Sequence, residues 1–519
     1  MPTPSLHRPS PRALLLAFSI SLCALSPSVA HAQLIPIKTV PIADGDQFNF
    51  FPSSNAGMAG VNIALPDSLL DPFLNPAKGA RLARGQFFGT PSFYSISRGA
   101  GGGKTLPLGA IVRSGSTFAG LLLAIQEVDP SRRTNPTQIL ATANVALTAS
   151  SAEILPTGAS SPSRQNKYVY AMLGREFGAG LSLAASAQWD GLHAIDGTDI
   201  LYANNQGIVQ TGDAMDVRLG LLKQWKGDRS FEALLLHNRF GMTHDVRFVD
   251  LVWDPGLRSI ASRPRMEHNV DRTNAWGAHF AYSRPLNDSG WRIGAIATTN
   301  LLSHPKIPNY EIEQVQSIPR DPGHSAAYDF GIGLSKSRNG VSFAVEGVVE
   351  PIMSHTWAQA DAPIESASGA TIPAGAKTVE NHFRFANAVV RTGVSQDFAF
   401  ENSDTRARLQ LGIGLRSVHY WVDQFDHVQE QGRSLQEHWL EWSPTWGFSV
   451  RFTELEIRYV GRIANGNGRP GLQQVFFPPG VLDAAAASGR SVLAVPNGPM
   501  TLDPVSVMTH QVSVSLPIR

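Results

Sequence analysis

Residues 406–416, "RARLQLGIGLR", alternate polar and apolar side chains with a period of two. This period is the mark of a β-strand whose two faces have different surroundings. The apolar face carries Ala407, Leu409, Leu411, Ile413 and Leu415. The opposite face carries three arginines, Arg406, Arg408 and Arg416. Three charged side chains on one face are too many for a dry core, so we expect that face to be wet.

The same alternation recurs along most of the chain and predicts sixteen strands. They lie near residues 85–97, 105–113, 116–126, 167–176, 180–190, 214–225, 230–240, 272–284, 290–300, 325–336, 341–350, 382–397, 405–420, 439–450, 454–463 and 507–517. Two architectures show this pattern: soluble sandwiches or propellers with an apolar core, and outer-membrane barrels with an apolar exterior. Alternation alone does not distinguish them.

The lengths of the connections favour the membrane barrel. Short connections such as Ser114-Gly115 and 226–228 alternate with long ones such as 127–166, 241–271 and 421–438. Outer-membrane barrels have short periplasmic turns at one end and long loops at the other, whereas a soluble sandwich has no reason to segregate them. The predicted fold is therefore all-β, a transmembrane antiparallel β-barrel of 14–16 strands with an N-terminal hatch segment in its lumen.

The first 32 residues have the features of a secretory signal peptide. Arg8 and Arg12 precede an apolar run of about 12 residues, too short to span a bilayer, and Ala30-His31-Ala32 forms a small-x-small cleavage site. The mature chain is predicted to begin at Gln33 in the outer membrane of a Gram-negative cell. An even number of strands would place both termini in the periplasm.

Residues 33–84 are predicted to form the hatch, and residues 85–519 the barrel. The segment "NAGMAGVNIALPDSLLDPFLNPAKGARL", residues 55–82, is rich in small residues and broken by proline. It resembles the N-terminal hatch of the FadL-type outer-membrane long-chain fatty acid transporter superfamily, which includes hydrocarbon-uptake barrels and barrels that export and anchor surface proteins. The matching positions are Ala56, Gly57, Ala59, Gly60, Asp67, Asn75, Pro76 and Ala77.

The resemblance implies a function in uptake of hydrophobic small molecules of fatty-acid or hydrocarbon type. Asn75, Pro76 and Ala77 would then belong to a gating segment, and Leu234 and Leu236 would either line an apolar route or pack against the hatch. The alternative is a protein-export or surface-anchoring component. Two departures stand out: family barrels usually have 14 strands, and the final residues 510–519, "HQVSVSLPIR", lack the terminal aromatic of many barrels.

Enzymatic and nucleic-acid functions are not expected. The sequence has no G-x-S-x-G elbow and no H-E-x-x-H motif, and its formal net charge is only +1. Cys23, the single cysteine, leaves with the signal peptide, so no disulfide forms. No cofactor, catalytic residue or metal is predicted, and His419, His427 and His438, near Asp423 and Asp426, are interpreted as solvated loop residues. The expected partners are outer-membrane lipid, a hydrophobic ligand and a surface or secreted protein.

Overall fold

The computed structural model describes most of the chain after residue 33. The described residues are 34–43, 45–129, 138–140, 164–196, 207–254, 259–286, 289–304, 322–360, 362–400, 404–470, 474–476 and 502–518. The predicted signal peptide and its cleavage site lie outside these residues. Among the described residues, no helix is long and apolar enough to cross a membrane.

Sixteen barrel strands are formed within the described ranges. They are β1 (Gly85–Gly89 and Ser92–Ile96), β2 (Gly102–Ser114), β3 (Thr117–Asp129), β4 (Arg164–Glu176), β5 (Leu181–Leu192), β6 (Gly207–Trp225), β7 (Arg229–Asp254), β8 (Ser259–Pro285), β9 (Trp291–Ser303), β10 (Gly323–Arg338), β11 (Val341–Gln359), β12 (Lys377–Ala399), β13 (Arg406–Asp426), β14 (Gln431–Arg451), β15 (Glu456–Pro470) and β16 (Leu502–Ile518). Outside the barrel ladder, Ile364–Glu365 pairs with Thr371–Ile372, and Gln138–Leu140 pairs in parallel with Gln474–Phe476.

The sheet closes on itself. Each barrel strand pairs antiparallel with its two neighbours, and β1 pairs both with β2 and with β16, where Gly85 lies opposite Ile518. Closure removes the exposed hydrogen-bonding edge that an open sheet would carry. The predicted antiparallel barrel is confirmed, with the higher of the two strand counts.

The apolar face of each strand is the outer one. On β13, Leu411 is 62% exposed on the outside, whereas its neighbour Gln410 is 8% exposed and faces the lumen. Other strands expose large apolar side chains in the same way, including Leu106, Leu108, Leu121, Leu123, Ile125, Leu173, Leu219, Leu235, Ile332 and Met353. A continuous apolar exterior around a polar interior is the arrangement of a barrel embedded in lipid.

Two predicted long loops are mostly strand. β7 and β8 stay paired from Ser230 opposite Ser283 to Asp254 opposite Ser259, and β13 and β14 stay paired up to a turn at 427–430. The sequence predicts loops here because its alternation of polar and apolar residues fades in these segments. Strand pairing depends on hydrogen bonds between backbone groups and does not require an apolar face. The β7–β8 and β13–β14 hairpins can therefore continue beyond the lipid-facing band.

The two ends of the barrel differ, and we call them the short-turn end and the long-loop end. Gly85 and Ile518 meet at the short-turn end, where Ser114 and Thr117 are also joined. At the other end lie the pair Asp254–Ser259 of β7 and β8 and the turn between β13 and β14. The periplasmic position of the short-turn end remains a prediction.

The outward position of Leu411 gives a direct test of the membrane embedding. Leu411→Arg places a charge in hydrocarbon and should destabilise the barrel by about 2–4 kcal/mol. The control Gln436→Arg adds the same charge to an exposed outer position of β14 beyond the apolar band and should have little effect. Unfolding in lipid vesicles, followed by the shift between folded and heated forms on gels, measures both. Equal stability of the two variants would contradict the lipid-facing assignment.

Candidate functional site

The N-terminal segment, residues 34–43 and 45–84, runs through the lumen, and we call it the hatch. At its start, the Ile35 amide donates to Asn300 Oδ1 over 2.7 Å, and the Ala43 amide donates to the Gly468 carbonyl over 3.0 Å. Both partners lie near the long-loop end of their strands. The segment then descends to Gly85 at the short-turn end, so it crosses the whole lumen.

Asp67 organises the middle of the hatch. Its carboxylate is buried and accepts hydrogen bonds from the hydroxyls of Ser53 and Ser54, over 2.5 and 2.7 Å. It also accepts from the backbone amides of Ser54, Asn55, Leu69 and Leu70. A buried carboxylate needs such donors because burial without hydrogen bonds is costly. Asp67 therefore holds the 53–55 turn against the start of the next segment.

Polar side chains of the wall hold one side of the hatch. Glu346 Oε2 on β11 accepts from the amides of Asn62 and Ile63, each over 3.0 Å, while its other oxygen accepts from Arg391 over 2.9 Å. On β14, the Thr445 hydroxyl accepts from the Ala59 amide and donates to the Gly57 carbonyl. These contacts satisfy backbone groups of a segment that has little secondary structure of its own.

Glycines on the inner wall allow the hatch to approach closely. A Cβ added at Gly412 would lie 2.5 Å from the Ala59 nitrogen, and one added at Gly294 would overlap the Ile63 carbonyl. Similar overlaps with the hatch arise at Gly220, Gly333 and Gly393. Because the close contacts occur on strands around much of the barrel, the wall is shaped to fit this segment.

The Asn75-Pro76-Ala77 motif caps a short helix against β6. Asn75 Oδ1 accepts from the Ala77 amide over 3.1 Å, starting the 3₁₀ helix Pro76–Arg81 just after α1 (Asp71–Leu74). Asn75 Nδ2 donates to the Leu221 carbonyl of the wall over 3.3 Å. A Cβ at Gly220 would overlap Asn75 Oδ1 and lie 3.1 Å from the Pro76 ring. The three residues predicted to belong to a gating segment are thus packed on the wall.

The other side of the hatch packs through aromatic rings. Phe51 stacks on Phe73 at 4.5 Å between ring centroids, and both lie against Tyr170 of β4. Phe50 packs on Tyr168 at 4.7 Å. These rings belong to the apolar cluster that also contains Phe88, Ile111, Leu122, Met172, Leu192 and Met242. We call this cluster the aromatic layer. The aromatic layer makes the part of the lumen lined by β1–β7 apolar.

A cavity of about 520 Å³ opens between the hatch and the wall at the short-turn end. Its lining has five basic side chains and two acidic ones: Lys78, Arg81, Arg84, Arg451, Arg458, Asp71 and Glu456. Lys78 Nζ lies 3.0 Å from both Asp71 and Glu232, and Glu456 pairs with Arg458 over 2.6 Å. The excess of cations favours an anionic group at this end.

The barrel wall loosens between β14 and β15. In the described residues, pairing between these strands runs from Arg451 opposite Glu456 to Trp442 opposite Asn465, although β14 continues to Gln431. A register shift in the β15–β16 pairing follows between Ala464 and Asn467. Beyond Trp442 and Asn465 the described residues of the two strands are no longer paired, although Gly466 still lies against Leu440 and Glu441.

The remaining sequence candidates lie apart from the hatch. His419 and His438 face each other across β13 and β14 on the outer surface, with ring centroids 6.2 Å apart, so they are strand rather than loop residues. His427 lies at the hairpin turn beside Glu380. Leu234 and Leu236 are both buried on the lumen side of β7. Sequence reasoning missed the aromatic layer, whose rings come from hatch and strand positions far apart in the chain.

Closed ladder, apolar exterior and filled lumen together define an outer-membrane β-barrel with an internal hatch. No family model and no curated protein sequence matches the chain. Among solved structures it is similar to a Pseudomonas aeruginosa FadL homologue, with 10% identity, coverage of 92% of this chain and 100% of that one, and a TM-score of 0.39. It is also similar to the CymD monoaromatic hydrocarbon channel, with 11% identity, 92% and 98% coverage, and a TM-score of 0.35.

The ferric enterobactin receptor PfeA is a further structural match, with 8% identity, coverage of 84% of this chain and 82% of that one, and a TM-score of 0.33. The class of this protein rests on its own strand ladder and lipid-facing surface.

The contact between Gly220 and Asn75 predicts that a single methyl group can loosen the hatch. Gly220→Ala should displace the Asn75 side chain and raise the conductance of the barrel in planar bilayers. The control Gly347→Ala also adds a methyl group to a barrel strand, but the nearest atoms there are 3.9 and 4.0 Å away, so its conductance should not change. If both variants conduct like the parent protein, residues 75–77 do not restrict the pore.

Proposed function

We propose that this barrel carries amphipathic small molecules of fatty-acid or hydrocarbon type across the outer membrane, with the hatch as its gate. The aromatic layer is the observation that carries the proposal. An apolar tail in a water-filled pore would stay hydrated, whereas a lumen packed with Phe50, Phe51, Phe73 and tyrosines offers a dry path. The polar contacts on the opposite side would hold the hatch on the wall, while the rings of the aromatic layer would move apart to admit the tail.

The ligand would enter where the described ladder between β14 and β15 ends and leave through the cavity of the short-turn end. The basic lining of that cavity favours ligands with an anionic head group over neutral hydrocarbons. Arg84 is exposed in that lining, and it would meet a carboxylate leaving the lumen. A fatty acid fits both features, with its tail in the aromatic layer and its carboxylate among the cations.

The export or anchoring alternative is supported by one feature. β7 and β8 contain 26 and 27 residues, whereas a spanning strand needs about 9–11, so their hairpin projects far beyond the lipid-facing band. Such a projection offers a surface for a protein partner. Shortening the hairpin within residues 248–265, beyond the aromatic layer, separates the two functions, because uptake of a small ligand should survive that change and binding of a partner protein should not.

A reversible tether tests the gate. A Cβ at Gly333 lies 2.9 Å from Cβ of Ile63, close to the ~3.5–4.5 Å of a disulfide, so Ile63→Cys with Gly333→Cys should crosslink hatch and wall after a small shift. In cells that lack their own fatty-acid barrel, the oxidised protein should lose most uptake of a long-chain fatty acid, and reduction should restore it. The single-cysteine variants serve as controls. Equal uptake in the oxidised and reduced states would show that the hatch does not move.

Head-group selectivity is tested with a matched pair of ligands. A fatty acid and the alcohol of the same chain length share a tail and differ in charge, so the acid should be taken up faster. Arg84→Glu should reduce uptake of the acid and leave uptake of the alcohol unchanged. Equal loss for both ligands would mean that Arg84 acts on the fold rather than on the ligand.

A further inference from the structure

Four ionisable side chains gather on the outer surface at the long-loop end. His355 comes from β11, Glu380 and His382 come from β12, and His427 comes from the β13–β14 turn. His355 follows the exposed Met353 by two residues on the same face of β11, so the group lies just beyond the lipid-facing band. It is separate from the hatch and from the route described above.

The backbone ladder fixes this arrangement. His355 and His382 are directly opposite each other in the β11–β12 pairing, and their rings stack with centroids 4.2 Å apart and planes 11° apart. Glu380 Oε1 lies 2.5 Å from His355 Nε2 and 3.6 Å from His382 Nε2. One ligand atom from each of these three side chains lies within 4.8 Å of the other two.

The fourth side chain, His427, lies beside the second oxygen of the Glu380 carboxylate. His427 Nε2 lies 3.6 Å from Glu380 Oε2. This nitrogen is buried and has no hydrogen-bond partner among the described residues. A buried ring nitrogen without a hydrogen bond is costly, and coordination to a metal ion would satisfy it.

We propose that His355, Glu380 and His382 bind a transition-metal ion of the Zn²⁺ class, with His427 as the fourth ligand. Two imidazoles and one carboxylate form a known zinc donor set. Zinc–nitrogen distances of about 2.0–2.1 Å put tetrahedral ligand atoms roughly 3.3 Å apart, so small side-chain rotations suffice here. Ca²⁺ and Mg²⁺ prefer sites made of oxygen ligands, so the imidazoles select Zn²⁺, Ni²⁺ or Cu²⁺.

Lys377 regulates the affinity of this site. Its ammonium group contacts Glu380 Oε1 and lies 4.9 Å from the centroid of the Trp357 ring. A metal ion must displace this cation from the carboxylate. The lysine side chain is partly exposed and flexible, so it can swing into water. Metal binding then links β11, β12 and the β13–β14 turn, three elements held together elsewhere by their ladders.

Calorimetry on the full mature protein in detergent, purified without a polyhistidine tag, tests the site with ZnCl₂ as the probe. One equivalent of Zn²⁺ should bind, and CaCl₂ or MgCl₂ should not compete. His355→Ala and Glu380→Gln should each weaken binding by about tenfold or more. The control His268→Ala removes another exposed histidine at the long-loop end, paired with Asp245 over 2.7 Å, and should leave binding unchanged.

Two further measurements separate a metal site from loose surface binding. Lys377→Met should tighten Zn²⁺ binding roughly threefold, because it removes the competing cation. Co²⁺ bound by the parent protein should give the visible absorption of a tetrahedral complex, and Glu380→Gln should abolish it. Gel mobility before and after heating confirms that each variant is folded. Unchanged Zn²⁺ affinity in the folded His355→Ala and Glu380→Gln variants, or equal loss in His268→Ala, would overturn the proposal.

Discussion

The structure depends on the absence of water in the bilayer core. Backbone amides and carbonyls facing hydrocarbon must find partners inside the protein, and an antiparallel sheet can provide all of them only if its first and last strands pair. The pairing of Gly85 with Ile518 meets this requirement. Closure gives the sheet an outer face in contact with hydrocarbon, and that face carries the apolar side chains. It also leaves a wide lumen, which sixteen strands cannot fill with their own side chains. The hatch follows from that geometry.

The strands could be predicted from sequence because period-two alternation reports two unlike surroundings directly. On β13, Leu409, Leu411 and Ile413 face outward as their pattern predicts. The nature of the inner face could not be predicted in the same way. Arg416 suggests water, yet it is buried and paired with Glu350 over 2.8 Å, and Gln410 donates to the Ser54 carbonyl of the hatch. A polar residue shows only that it needs a partner, which can be water or protein.

The candidate site was partly accessible to sequence analysis. The small residues and Asp67 of the hatch stand out by resemblance, and their positions have physical reasons: Gly57 touches Gly447, and Asp67 collects hydrogen bonds. The receiving glycines of the wall do not stand out, because a glycine in a strand gives no sign of what approaches it. The histidine group was hidden for a similar reason. In the sequence His427 lies among His419, Asp423, Asp426 and His438, whereas the folded chain places it beside Glu380.

The course of the hatch, from the long-loop end down to the start of β1, also constrains the order of assembly. The hatch packs against wall glycines on many strands, so its final contacts need most of the barrel in place. The seam between β1 and β16 joins residues more than four hundred positions apart, so its pairing must await synthesis of the last strand. Contacts this distant in sequence form slowly. The hatch and the other strands that face it are all synthesised before that last strand, so the hatch is available as an internal template around which the hairpins can curve before the cylinder seals.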